Sequence, residues 1–287
     1  KWEDPSIIGE HVLPAHCPLT PEASISLNGK WKFFCGLGTD SVPKNFWENS
    51  FDASAWDEID VPCCWETRGY GKPYYFGAGF PPAICQAKKK IPSIDHNKSY
   101  VGAYRRSVNV PEDRMDQQII LQFDSVKSAF YCWVNGQYAG MGKGSMLPVE
   151  FDVTGMVHAG ENTVCVQVYQ FSDATYLEDQ DMWFLSGIYR DVTLYARPKD
   201  HISDIYAKAI FRDNCERADL HIRVEALCGG KAQIKAELLW DRNILCAETK
   251  AADSVTTFVF PCSDLHLWSA ETPNLYQIRV TLSADGK

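Results

Sequence analysis

No run of about 18 apolar residues occurs in the 287-residue sequence, so no segment reads as a membrane-spanning helix. Apolar residues never sustain a three-to-four spacing either, which excludes long amphipathic helices. Basic runs are short: the longest is Lys88-Lys89-Lys90, and 28 basic against 37 acidic residues leave a net charge of −9. An acidic chain with no basic stripe has little to offer a phosphate backbone, so nucleic acid is set aside as the main partner. The seven histidines (His11, His16, His96, His158, His201, His221 and His266) include no i, i+4 pair, which removes the zinc-protease signature. His221 falls on the polar face of a predicted strand and reads as solvated. No Gly-x-Ser-x-Gly elbow is present around Ser145 or Ser186. Gly140-Met141-Gly142-Lys143-Gly144 lacks the P-loop pattern, and Pro148 follows too closely for a helix, so it reads as an irregular strand or tight turn.

Cysteine is plentiful, at 11, yet no Cys-x-x-Cys pair exists. Adjacent Cys63 and Cys64 are poorly placed to bond each other or to grip one metal. An odd count and irregular spacing favour buried thiols over a disulfide framework, and with them a reducing compartment. Lys1 is not a natural start, which leaves room for a removed leader, and the compartment stays open between cytoplasm and periplasm.

Strands dominate what is present. Phe130, Cys132 and Val134 alternate with Tyr131 and Trp133 up to Asn135-Gly136, a pair that tolerates the positive φ of a hairpin turn. A second turn is read at Gly160-Glu161-Asn162, with Val164, Val166 and Val168 facing one way after it. Val192 to Ala196 is a further strand, and Arg197-Pro198-Lys199-Asp200 reads as a linker. Beyond it, Leu220, Ile222, Val224 and Ala226 alternate with polar residues, as do Ala232, Ile234, Ala236 and Leu238. Val255 to Phe260 and Tyr276 to Leu282 complete a small two-sheet sandwich. Asp285-Gly286 is a hairpin turn with no second strand after it, which suggests a chain cut from a longer protein. Aromatics, at 13%, suit a β-rich core and could also supply sugar-stacking surfaces.

The densest chemistry lies in Phe171-Ser172-Asp173-Ala174-Thr175-Tyr176-Leu177-Glu178-Asp179-Gln180-Asp181-Met182-Trp183, with three aromatics and four carboxylates. No strand or helix period fits it, apart from one turn that Thr175 and Glu178 could cap as a box. It reads as a long loop. A retaining glycosidase needs two carboxylates about 5 Å apart across the scissile bond, which neighbours on one loop cannot easily supply. Glu178 and Asp179 are therefore expected to satisfy loop amides or to pair with cations such as Arg190. Asp173, just after a strand, could project past a sheet edge. Gly69 to Pro82 is a second aromatic loop, read equally well as a rigid connection or a sugar platform. No self-sufficient catalytic set emerges.

This ordered set of motifs resembles the β-galactosidases of glycoside hydrolase family 2 over nearly the whole chain. The resemblance is carried by Trp2-Glu3-Asp4-Pro5, by Leu27-Asn28-Gly29-Lys30-Trp31-Lys32-Phe33, and by Val61-Pro62 with Trp65 and Gly69-Tyr70. It continues through Ser145-x-x-Pro148-x-Glu150-Phe151-Asp152 and the Asp173 to Asp191 run. It ends at Leu267-Trp268-Ser269-Ala270-Glu271-Thr272-Pro273-Asn274-Leu275-Tyr276. The resemblance implies an all-β chain: a jelly-roll sugar-binding domain over residues 1–198, then an immunoglobulin-like β-sandwich over 199–287, truncated at its C-terminal end. It implies a parent that hydrolyses terminal β-D-galactosides with retention. Both catalytic glutamates would lie in a C-terminal TIM barrel of the same polypeptide, so no residue here is catalytic and the fragment is expected to be inactive.

It also assigns Asp173 to the parent's sugar pocket, as a substrate contact and a sodium ligand. The family's neighbouring asparagine falls in Tyr75-Phe76-Gly77-Ala78, where Gly77 stands in its place beside Ala78, and one sugar contact is lost. No cofactor is expected in the fragment itself; sodium and magnesium belong to the parent, which could assemble as a homo-oligomer. Two other readings remain open: a free-standing carbohydrate-binding module, and the corresponding part of a β-glucuronidase or β-mannosidase.

Overall fold

The computed structural model describes residues 1–17, 24–75, 91–178 and 180–284. Its contacts divide the chain into two compact units, Lys1–Ala15 with Pro21–Arg197, and His16–Thr20 with Pro198–Lys287. Both are built from antiparallel strands, and the helices among the described residues are single turns.

The first unit is a sandwich of two main sheets. The larger has seven strands in the spatial order Gly9–Glu10, Gln137–Lys143, Ala129–Val134, Gly160–Tyr169, Tyr100–Val110, Gly29–Leu37 and Asp57–Val61. The smaller has four: Val149–Asp152, Gln118–Phe123, Val192–Arg197 and Ser24–Ser26. Alternation explains the layers, because in a strand every second side chain points to the same face. Phe130, Cys132 and Val134 are buried against Leu121, Phe123 and Phe151 of the opposing sheet, and the Phe123 and Phe130 ring centroids are 5.0 Å apart. Asn135 (φ 51) and Gly136 (φ 79) make the hairpin turn the sequence predicts.

Trp65 is fully buried in this core, at the start of a 3₁₀ turn spanning Trp65–Arg68. Only a glycine fits behind it: a Cβ on Gly102 would come within 2.5 Å of the indole ring. Interiors packed to crystal-like density do not tolerate such a contact.

The second unit packs the strands His201–Arg212, Arg217–Leu227 and Val255–Ser263 as one sheet, and Asn243–Ala251, Ala232–Trp240 and Gln277–Ala284 as the other. Leu220, Ile222 and Val224 face Ile234, Ala236 and Leu238 across the core. His16 and Cys17 group with this unit, where Cys17 donates its backbone N–H to Asp204 Oδ1 at 2.8 Å. The two units match the all-β expectation of a jelly-roll sugar-binding sandwich followed by an immunoglobulin-like one.

All ten described cysteines are free thiols, of which Cys132 and Cys165 are buried and Cys215 is exposed.

Candidate functional site

The acidic aromatic segment leaves the end of the Gly160–Tyr169 strand and is tied down by a small apolar cluster of its own. Phe171 and Phe184 are buried with Ile94, and Trp2, Tyr74 and Tyr176 pack against them. Tyr176 also donates its hydroxyl to Ser93 O at 2.7 Å. At the far end, Trp183 pairs with Tyr75 and Phe184 with Tyr74 in a two-residue ladder. Tyr75 donates its phenol to Asp181 at 2.5 Å, and that carboxylate pushes the phenol's pKa up. The aromatics thus anchor the loop, as expected for a polar segment that must keep one shape.

Asp173 does not project freely past the sheet edge. It is 8% exposed, and its Oδ1 stands 2.8 Å from Lys143 Nζ, at the end of the Gln137–Lys143 strand. Lys143 also donates to the backbone carbonyl of Asp4 at 3.0 Å. An unpaired charge at this depth would be strongly disfavoured, so each group makes the other's burial tolerable. The glycine-rich stretch before Lys143 is an irregular strand, as expected, with a register shift between Tyr138 and Gly140. What the sequence reading missed is that this strand delivers a buried lysine to Asp173.

The pair lines a cavity of about 380 Å³, with Pro5, Ile8, Ile91, Ala174, Leu177 and Glu178 among its other walls. Its rim is apolar and open: Leu177 is 87% exposed and Ile8 80%. Leu147 and Trp183 are exposed nearby in sequence to residues of the same walls.

Thr175–Glu178 forms one helical turn. The expected capping box is absent, since a tertiary partner takes the carboxylate. Glu178 accepts from the Ser145 backbone N–H at 2.9 Å and its hydroxyl at 2.6 Å. Thr175 Oγ1 instead accepts from the Ser172 N–H at 3.0 Å. Glu178 is thus occupied with a loop amide, as its sequence reading held. Asp179, Gly77 and Ala78 lie outside the described residues.

Asp173 would offer a sodium ion a hard oxygen ligand. One carboxylate oxygen already faces an ammonium, and no group of three or more His, Cys, Asp or Glu among the described residues could hold a metal ion.

Glu66, Glu150 and Glu237 are buried carboxylates as well, and nothing in the sequence around Glu66 signals its burial. Glu66 is 6% exposed, and burial pushes its pKa up to about 7.

With this geometry in place, the comparisons with known proteins settle the family. Residues 25–198 match the profile "Glycosyl hydrolases family 2, sugar binding domain", and residues 200–287 match "Glycosyl hydrolases family 2". The chain belongs to glycosyl hydrolases family 2. Among curated proteins it is 35% identical to a β-galactosidase of Photobacterium profundum, over 98% of this chain and 29% of that protein. It is also 35% identical to a β-galactosidase of Priestia megaterium, over 90% of this chain and 26% of that one. The chain therefore spans less than a third of the length of these relatives. Among solved structures, a calcium-binding mutant of Bacteroides uniformis β-glucuronidase 2 superposes with a TM-score of 0.70 at 25% identity, covering 92% of this chain and 31% of that one. A Bifidobacterium dentium β-glucuronidase reaches 0.71 at 20% identity, over 95% of this chain and 47% of that one, a likeness of fold.

Proposed function

We propose that this chain is the non-catalytic N-terminal region of a retaining β-galactosidase, and that Asp173 contributes a carboxylate to the sugar pocket that a C-terminal barrel completes. The observation that carries the reading is the placement of Asp173. It sits at the wall of an open cavity, at the start of the acidic aromatic loop, on the unit that matches the family's sugar-binding domain. A carboxylate held rigidly there can accept hydrogen bonds from sugar hydroxyls. Lys143 orients it by fixing one oxygen and leaving the other.

Hydrolysis itself needs an acid and a nucleophile about 5 Å apart. Glu178, the nearest other carboxylate of the cavity, has both oxygens committed to Ser145. The chemistry would come from the barrel, and this chain alone would be inactive. The apolar rim of Leu177 and Ile8 suits the seat of that barrel, because a hydrophobic surface of this kind is stabilised by being covered. A sodium ion of the parent would take Asp173 as one hard oxygen ligand.

The relatives at about 35% identity are named β-galactosidases, which favours galactosides; a β-glucuronidase parent is the second reading, prompted by the structural neighbours. Hydrolysis of nitrophenyl β-D-galactoside and β-D-glucuronide by the full-length polypeptide separates the two. Preference for the galactoside is expected, and preference for the glucuronide would replace the reading. A free-standing carbohydrate-binding module predicts sugar binding by the 287-residue chain, which calorimetry with galactose and lactose would detect.

A further inference from the structure

Glu66 sits where the acidic aromatic segment begins and ends. Its Oε2 accepts the Ser186 backbone N–H at 2.8 Å, and its Oε1 accepts from Gln170 Nε2 at 3.5 Å. Gln170 is the residue before Phe171, and Ser186 follows Leu185. One carboxylate therefore holds the chain on its way into the segment and on its way out. Backbone bonds reinforce both ends: Trp65 N–H donates to Ser186 O at 3.0 Å, and Gln170 N–H donates to Tyr100 O at 3.0 Å. Gln170 Oε1 in turn accepts the Tyr100 N–H at 3.0 Å. The turn carrying Glu66 is fixed by Trp65, fully buried against Gly102.

We propose that Glu66 is a positioning residue for Asp173, alongside Lys143 and the aromatic anchors: it clamps both ends of residues 171–185, so that the Asp173 carboxylate is presented at the cavity. It acts through the loop and touches no ligand. The consequence for sugar binding rests on the reading of Asp173 given above, whereas the clamp itself does not.

The clamp is sensitive to protons. Burial is the largest influence on Glu66 and raises its pKa to about 7, and the hydrogen bonds from Ser186 and Gln170 oppose that shift. The groups facing it are Cys35 from the Gly29–Leu37 strand, Cys63 and Cys64 ahead of the turn, and Tyr104 from the Tyr100–Val110 strand. Lys127 acts on the neighbouring Cys64. An opening that lets water reach Glu66 returns it toward its ordinary 4.5, so opening becomes easier as pH rises between 4.5 and 7.

Amide hydrogen exchange on the 287-residue chain tests this, with the wild type, Glu66→Gln and Glu66→Ala compared at pH 5.5 and pH 8 after correction for intrinsic rates. In the wild type, protection over residues 171–186 is expected to fall about tenfold or more between the two pH values. In Glu66→Gln, which keeps an acceptor for Ser186 and cannot ionise, it should be flat with pH. Glu66→Ala should lose protection there at both pH values while the Arg217–Leu227 and Ala232–Trp240 strands stay unchanged. A segment indifferent to both substitutions overturns the clamp. So does Glu66→Ala loosening every strand of the first unit equally, which would make Glu66 a core filler; the folded Glu66→Gln chain still decides if the alanine chain fails to fold. None of these readouts involves sugar. If Asp173 plays no part in sugar binding, that failure appears only in the full-length protein's kinetics.

Discussion

Lys143 and Asp173 lie 30 positions apart, on a strand end and in a loop, and meet as an ion pair of 2.8 Å with both side chains more than nine-tenths buried. A loop carboxylate placed this way is rigid as well as charged, because moving it would strand an ammonium in the interior.

Removing one partner should therefore cost more than a surface pair does. Lys143→Met leaves Asp173 without its cation and is expected to destabilise the first unit by about 3 kcal/mol, read as a shift in the urea midpoint. The double variant Lys143→Met, Asp173→Leu should recover much of that loss, since an apolar pair of similar volume needs no counter-charge. A double variant no more stable than the single would show that the pair's charges are not what the site requires.

Glu66 predicts a pH dependence of stability. Its pKa is raised in the folded chain, from 4.5 to about 7, so the folded state holds a proton that the unfolded state has already released across that interval. Its contribution to stability is complete below about pH 4.5 and is lost as pH rises through 7, by about 3 kcal/mol in all. Urea unfolding of the wild type against Glu66→Gln should show the difference between them change by about 2.5 kcal/mol between pH 5 and pH 8. A constant difference would mean that Glu66 titrates normally.

The thiols should separate by burial. Desolvation lifts Cys35 to about 12 and Cys64 to about 11, leaving almost no thiolate at neutral pH. Among the described cysteines, the exposed Cys215 should react with maleimide first, and the buried Cys132 and Cys165 only after unfolding. Mass spectrometry of a timed reaction gives the order directly.

Glycine at 102 is a packing requirement. Gly102→Ala drives a methyl into the Trp65 ring and should cost about 1–3 kcal/mol, with no route to relief through a flexible side-chain end. A thermal midpoint unchanged from wild type would show that the indole can shift.

Much of the fold could be read along the chain because its signals are local. Asn135-Gly136 announces a hairpin through its tolerance of positive φ, and Leu220, Ile222 and Val224 announce a half-buried strand through their period of two. Asp173 is set apart in the sequence by its place just after a strand, and its role comes from resemblance. Lys143 was hidden, because nothing within the glycine-rich strand hints at a partner 30 residues away. Glu66 was hidden too: beside an exposed arginine and threonine in Trp65-Glu66-Thr67-Arg68 it looks like an ordinary surface residue, and only the sheet packing buries it. The capping box at Thr175 failed for a related reason, since Ser145 offers Glu178 two donors and a local cap offers one.

On the proposed reading, this loop places a sugar-binding carboxylate in the pocket of a larger enzyme. The measurement that tests it most directly is the kinetics of the full-length polypeptide on nitrophenyl β-D-galactoside, wild type beside Asp173→Ala, with folding checked by circular dichroism. A loss in kcat/KM of about a hundredfold or more in a folded variant, worth about 3 kcal/mol of transition-state binding, is the predicted result. An active enzyme indifferent to Asp173→Ala would contradict it, and would leave the Lys143–Asp173 pair a structural tie.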